Sequence, residues 1–351
     1  MRKMYVLAAA GLLALAACQE IDHVAAGDGT LTVVVRSGEK AATKADVTPA
    51  GNDAAVNYIQ LFLFAEDGSL YRRDTILGGA TGKSLDRVKA GSYELVAVAN
   101  GPALDSVRLK EDLEKTAIEL DVNDPEAGFL MYGQTPERVR VESEATTAAR
   151  AEVTVRRHVA RVRLTTVQNK LPAAYGGLNV EYAFLENALG QWDYGATGTP
   201  SAWVNHAGRK PGRNESADAS DYLSSAADAA YADLTFRALG TIVDREDPET
   251  FNAPFYSFPN ACTAADDHFG ATAESACLRL VLKASYDGDP ARSWYYPVTI
   301  ENVERNKSYD VSFIISGPGT SDPNGKVENG NLQAVITVDP WGDGGDFTGD
   351  F

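Results

Sequence analysis

The chain has 351 residues, 44% of them hydrophobic, and Lys+Arg 32 against Asp+Glu 49 give a formal net charge of −17. So acidic a chain has no basic surface with which to neutralise phosphates, which excludes nucleic acid as its partner. The length exceeds what one small core needs and suits two domains.

The first residues are read as a targeting segment, not as fold. Arg2 and Lys3 precede the apolar run "MYVLAAAGLLALAA", too short to span a membrane as a mature helix. It ends Leu15-Ala16-Ala17-Cys18, the pattern that lipoprotein signal peptidase cuts between Ala17 and Cys18. Residues 1–17 are the expected signal peptide and Cys18 the expected lipidation site, with an ordinary signal peptide and a chance Cys as the alternative. Several acyl chains anchor stably where one alone binds marginally.

Next comes "LTVVVRSGEKAATKADV", a strand from Leu31 to Val35 running into a polar, basic loop. Leu31, Val33 and Val35 share one face. "NYIQLFLFAEDGSLYRRDTI" is a hairpin about Asp67-Gly68, and "GSYELVAVANGP" is a strand closed by Asn100-Gly101-Pro102. "DSVRLKEDLEKTAIEL" has helical spacing, with Asp105 or Ser106 as the cap and Leu109, Leu113 and Ile118 as a partial apolar stripe. "ARAEVTVRRHVARVRLTTVQ" reads as two strands back to back about Arg157-His158, where one domain can close and another open.

Strands follow in "LNVEYAFLEN", "CLRLVLKASY", "SWYYPVTI", "SYDVSFIISG" and "NLQAVITVD". Between them, residues 195–250 are rich in Gly, Ala, Ser and Asp and predict long loops with a short helix near 225–236. The last strand puts Leu332, Ala334, Ile336 and Val338 on one face, after the Gly/Pro/Asn-rich hinge "SGPGTSDPNGKVENG". Many short strands and a single minor helix, in the first domain, give an all-β class of two sandwiches. The expected division is a leader at 18–44, an N-terminal sandwich at 45–157, a C-terminal sandwich at 158–330, and a final strand with tail at 331–351.

Motifs for chemistry are absent from the sequence. "GGATGKS" has three residues between Gly78 and Gly82 where a phosphate loop needs four, and a hairpin follows instead of a helix. There is no G-x-S-x-G, H-E-x-x-H or C-x-x-C, and His23, His158, His206 and His268 are scattered. Among 49 acidic residues a carboxylate pair at hydrolase spacing arises by chance. The chain is therefore read as no enzyme, with no cofactor and no metal. Trp192, Tyr194 and Trp203, and Trp294, Tyr295 and Tyr296, read as core before they read as sugar platforms. Cys262 and Cys277 flank the fourteen small and polar residues "TAADDHFGATAESA". In an exported protein such a pair reads as a disulfide, and the metal alternative has only Asp266, Asp267 and His268 nearby.

With these residues in view, the sequence resembles the Bacteroidales fimbrillins, the FimA-like subunits of type V pili. The resemblance rests on "LTVVVRSGEKAATKAD", "KAGSYELVAVANGP", "RRHVARVRLTTV" and above all "VERNKSYDVSFIISGPGTSDPNG…LQAVITVDPW". It implies two transthyretin-like sandwiches and a lipoprotein precursor that reaches the outer membrane and then the surface fimbrium. It also implies that a trypsin-like, commonly Arg-specific, protease cuts after the first strand. The C-terminal strand of another subunit then fills the groove left by Leu31, Val33 and Val35. The matching bond here is Lys44–Ala45; the Lys departs from the Arg preference, and Arg36 is the nearest Arg upstream. The donor residues implied are Leu332, Ala334, Ile336, Val338 and Trp341. The tail "GDGGDFTGDF" departs from a strand-forming donor, with Phe347 and Phe351 as anchors within it.

The partners implied are other fimbrial subunits, including tip and anchor proteins, the maturation protease, the outer membrane through the lipid, and a host or bacterial surface receptor. A removable leader together with a donor strand favours a stalk subunit serving adhesion. A membrane-anchored fimbrial anchor or accessory subunit, and a glycan-binding surface lipoprotein that does not polymerise, are the alternatives.

Overall fold

The computed structural model describes residues 28–38, 55–143, 147–205, 230–245, 247–263, 277–323 and 325–341. The first half comprises β1 (Asp28–Ser37), β2 (Tyr58–Phe64), β3 (Leu70–Leu77), β4 (Gly82–Lys89), β5 (Gly91–Ala99), α1 (Lys110–Lys115), β6 (Ala117–Glu119), β7 (Met131–Gln134), β8 (Val139–Val141) and β9 (Ala149–Arg157). One sheet runs β3-β2-β5-β7-β9-β1-β4, with β8 also paired to β5. It encloses a core of Leu31, Val33, Val35, Leu61, Leu63, Leu95, Ala97 and Val153. "YIQLFLF" and "SYELVAVA" are nearly continuous apolar runs, and β2 and β5 are accordingly buried on both faces.

The second half comprises β10 (Ala160–Asn169), β11 (Leu178–Glu186), β12 (Ala188–Asp193), β13 (Ser201–Val204), α2 (Ala232–Thr235), β14 (Phe236–Val243), β15 (Glu249–Ser257), β16 (Leu278–Tyr286), β17 (Asp289–Ile300), β18 (Lys307–Ile315) and β19 (Leu332–Pro340). Two four-stranded sheets, β15-β10-β18-β19 and β14-β11-β16-β17, face each other across Val162, Leu164, Val180, Leu280, Leu282, Val311 and Phe313. This is a sandwich, its inward residues supplied by period-two alternation. The fold is all-β, as the sequence predicts.

The two halves share a third core. Phe62, Phe64, Val96 and Phe129 from the first half pack with Leu189, Tyr256, Phe258 and Trp341 from the second. β6 also crosses over to pair with β12. Between β9 and β10 lie only His158 and Val159, and both are buried.

Two expectations need correction. The helix does not start at a cap by Asp105 or Ser106. It starts at Lys110 behind Leu109, which is extended and makes no side-chain cap bond. The upstream residues have other partners: Arg73 Nη1 donates to Asp105 Oδ1 at 2.8 Å, and Val107 enters the shared core. Leu113 and Ile118 are buried, but Leu109 is exposed. In the stretch 195–250, α2 lies where a short helix is expected, but the described residues also contain the unexpected strands β13, β14 and the start of β15, while 206–229 lie outside the described residues. β14 and β15 are both sheet edges. β14 alternates between half-buried and exposed as far as the buried Val243, and β15 contains Pro254, which interrupts its pattern and which an edge tolerates.

Candidate strand-exchange site

β1 is N-terminal, ten residues long and an inner strand of its sheet. It runs parallel to β9, from Leu31 opposite Ala149 to Ser37 opposite Val155. It is antiparallel to β4 on its other side, with Leu31 opposite Leu85 and Thr32 opposite Ser84. Leu31, Val33 and Val35 are 0%, 0% and 2% exposed. Taking β1 away would bare their apolar neighbours Leu85, Ala151 and Val153 and leave the ladder edges of β9 and β4 unpaired. Arg36 is paired with Thr154 in the ladder and forms an exposed ion pair with Glu152. The connection from β1 to β2 includes 39–54, so Lys44 and Ala45 lie outside the described residues, as do Ala17 and Cys18.

β19 is the edge of its sheet, bonded to β18 alone from Leu332 opposite Ile315 to Pro340 opposite Lys307. Leu332, Ala334 and Ile336 are half-buried against the C-terminal core. Val338, on the same face by alternation and opposite Tyr309, is 51% exposed. The inward face at home thus has three members, not four. The hinge before β19 is partly tied down. Thr320 exchanges backbone hydrogen bonds with Tyr295, and Ser316 N donates to Asn331 O at 2.8 Å. A Cβ on Gly317 would lie 2.1 Å from Asn331 Oδ1, so a side chain here would displace that amide.

Trp341 secures the far end of β19. Its ring lies in the shared core, edge-on to Phe129 at 4.9 Å and stacked on Tyr256 at 5.7 Å. The guanidinium groups of Arg157 and Arg161 sit over the ring at 4.5 and 4.9 Å. Trp341 N donates to Asn306 O at 3.0 Å, and Arg157 Nη1 donates to Trp341 O at 3.0 Å. Asn306 has a φ of 58°, a left-handed conformation that Asn tolerates, and its Oδ1 also accepts from Arg157 Nη1. Tyr309 closes the same turn: its OH donates to Asn302 O and accepts from Glu304 N. The sequence stretch "RNKSYD" is thereby explained as a turn that positions β18 and receives the end of β19.

Beside Asn306 lies a cleft of about 510 Å³ lined by Arg156, Trp192, Arg305, Asn306 and Lys307. A second, adjoining hollow shares Arg156 and Arg305. Arg305 Nη1 is buried and makes no hydrogen bond among the described residues. Burial first, and then the charge of Arg156, lower the Arg305 pKa. His158 is fully buried among Tyr132, Trp192 and Tyr194. Burial, followed by the charge of Arg305, lowers its pKa to about 3, so it is neutral. Sequence reading placed His158 at a boundary but missed the Arg157–Arg161–Asn306–Trp341 cluster. The available signal was Arg at positions that alternation assigns to a buried strand.

Cys262 and Cys277 are joined by a disulfide, their Cα atoms 5.0 Å apart. The loop they enclose, with Asp266, Asp267 and His268, lies outside the described residues, as do His23, His206, Phe347 and Phe351. Tyr194, Tyr295 and Tyr296 are buried, and Trp192, Trp203 and Trp294 pack partly against the cores.

Residues 28–184 match the family model described as fimbrillin-A associated anchor proteins Mfa1 and Mfa2. No curated protein matches the sequence. Among solved structures, a candidate cell adhesion protein from Bacteroides eggerthii is similar with a TM-score of 0.66 at 19% identity, covering 91% of this chain and 97% of its own. A fimbrilin from Porphyromonas gingivalis gives 0.62 at 17% identity, with 89% and 97% covered. The tip fimbrial protein Mfa3 from Porphyromonas gingivalis, truncated at its C-terminus, gives 0.52 at 12% identity, with 90% and 100% covered. The chain is fimbrillin-like: its residues 28–184 match that family's model, and nearly its whole length carries the fold of the fimbrilins.

Proposed function

We propose that this protein is a fimbrial stalk subunit, activated by proteolytic loss of β1 and polymerised when the C-terminal strand of another copy fills the vacated groove. One observation supports this above all. β1 is an inner strand whose Leu31, Val33 and Val35 are buried, whereas β19 is an edge strand whose Leu332, Ala334 and Ile336 are only half-buried. The C-terminal strand therefore has more apolar surface to bury in the β1 groove than at home, where full burial of an aliphatic side chain gives roughly 1.5–3 kcal/mol. The bare ladders of β9 and β4 supply backbone partners for strand addition. While the chain is uncut, the tether keeps β1 at high effective concentration and in place. Cutting lets it leave. Each junction is head-to-tail, so the assembly grows as a filament.

The bond that fits is Lys44–Ala45. Arg36 is laddered within β1, so a protease would first have to open the sheet to reach it. In this reading Cys18 carries the lipid that brings the precursor to the outer membrane, and the cut frees the subunit into the surface fimbrium, where it serves adhesion with tip and anchor proteins as partners.

A second reading has its own support. The matching family model is described by anchor proteins, and an anchor keeps its lipidated N-terminus. N-terminal sequencing of protein recovered from cells separates the two: a start at Ala45 supports the stalk, and a blocked Cys18 the anchor. Mild trypsin treatment of purified protein is expected to give SDS-resistant ladders. Persistent monomers would count against polymerisation.

A further inference from the structure

Two stretches match when read in the same direction: Gly29-Thr30-Leu31-Thr32-Val33-Val34-Val35 and Gly330-Asn331-Leu332-Gln333-Ala334-Val335-Ile336. In each, a Gly stands two residues before the first inward Leu. In β1 that Gly is required. A Cβ on Gly29 would lie 2.5 Å from the Glu142 backbone oxygen and 2.8 Å from Val141 Cγ1, and backbone cannot yield as a flexible side chain can. Gly330, by contrast, has nothing within 4 Å of its Cβ position; at home it serves only the turn, with a φ of 92°. An incoming strand that runs in the direction of β1, with Leu332 in the place of Leu31, sets Gly330 in the Gly29 seat. A two-residue slip puts Leu332 or Glu328 there, and reversal with Ile336 in the place of Leu31 puts Val338 there.

The same register carries Asp339 to position 38, at the exit of the groove. A Cβ there lies 3.1 Å from Arg156 Cγ and 3.3 Å from Asn306 Nδ2. Arg156 and Asn306 also line the cleft that holds Lys307 and the unbonded Nη1 of Arg305, three cationic side chains against the one carboxylate, Glu304. Beyond Trp341 the donor sequence brings Asp343, Asp346 and Asp350. A carboxylate meeting a guanidinium makes a charge-assisted hydrogen bond, among the stronger kinds. In a chain of net charge −17, a basic cleft in this position is matched to an acidic occupant.

We infer that the donor strand of a second copy enters in this one register, Gly330 in the Gly29 seat, and that the basic cleft at the groove exit receives its acidic end, from Asp339 onward. The inference rests on the strand-exchange reading above.

Two labelled populations, cut with trypsin and mixed, test it. Thr32 lies opposite Ser84 in β1. An acceptor with Ser84→Cys is therefore expected to cross-link to a donor with Gln333→Cys, and not to one with Val335→Cys. Cross-linking through Val335→Cys in preference would overturn the register while leaving strand exchange standing. An Arg305→Ala acceptor is expected to take up donor at least about tenfold less readily at low salt, the scale of one hydrogen bond to a charged group. Unchanged uptake would overturn the role of the cleft. Absence of any ladder in the unsubstituted protein would overturn the inference together with the reading it rests on.

Discussion

At the residue scale, His158 and Trp341 carry separate consequences. His158 is neutral in the fold, with its pKa lowered to about 3 from 6.5. Between those values the unfolded chain binds a proton that the folded chain does not. His158 therefore costs no stability above about pH 6.5, and stability falls by about 1.4 kcal/mol per pH unit as pH drops from there toward 3. His158→Phe is expected to flatten the acid limb of Tm against pH over this window, and an unchanged limb would contradict the assignment. Trp341 is 2% exposed between two arginines and two aromatic rings. Trp341→Ala is expected to cost about 3–5 kcal/mol in urea unfolding of the uncut protein. It should also speed ladder formation after cutting, because the end of β19 loses its anchor. A merely structural Trp would lower stability without that acceleration. Glu186 and Arg279 form an ion pair with both side chains at 1% exposure or less. Removing either charge strands the other in the core, as with any buried pair.

At the element scale, the placeholder role proposed for β1 is open to graded change. Val33→Ala removes two buried methyl groups and weakens the hold of β1 by about 2 kcal/mol. The uncut protein should lose that much stability, and the cut protein should exchange faster. Slower exchange would contradict a displacement in which β1 must first depart. The disulfide between Cys262 and Cys277 closes a short loop next to β16. Its reduction is expected to lower stability by up to about 3 kcal/mol, read as a fall in Tm on adding a thiol. Alternation made most elements legible in the sequence. The hairpin of β2 and β3, the strand pair about His158, and β19 all lie where apolar residues recur every second position. β14 is not legible because most of it alternates only between half-buried and exposed, and β15 because Pro254 interrupts its alternating Phe251, Ala253 and Phe255. The helix start is not legible because Asp105 pairs with Arg73, 32 residues away, a partner that no local pattern reveals.

At the scale of the whole molecule, the sequence revealed both strands of the proposed exchange, Leu31–Val35 and Leu332–Val338, but not how firmly the second is held. That hold comes from tertiary contacts: Arg157, Arg161 and Asn306 meet Trp341 across long separations, and no local pattern announces them. The shared core also changes what truncation means. A chain ending at Gly330 loses Trp341 as well as β19, so it should fold with reduced stability while keeping an intact β1 groove. Cut with trypsin and mixed with cut full-length protein, this chain tests the central claim most directly. The account predicts that it accepts one donor strand and caps the ladder, yet forms no ladder alone. Ladders grown from the truncated chain by itself would contradict it.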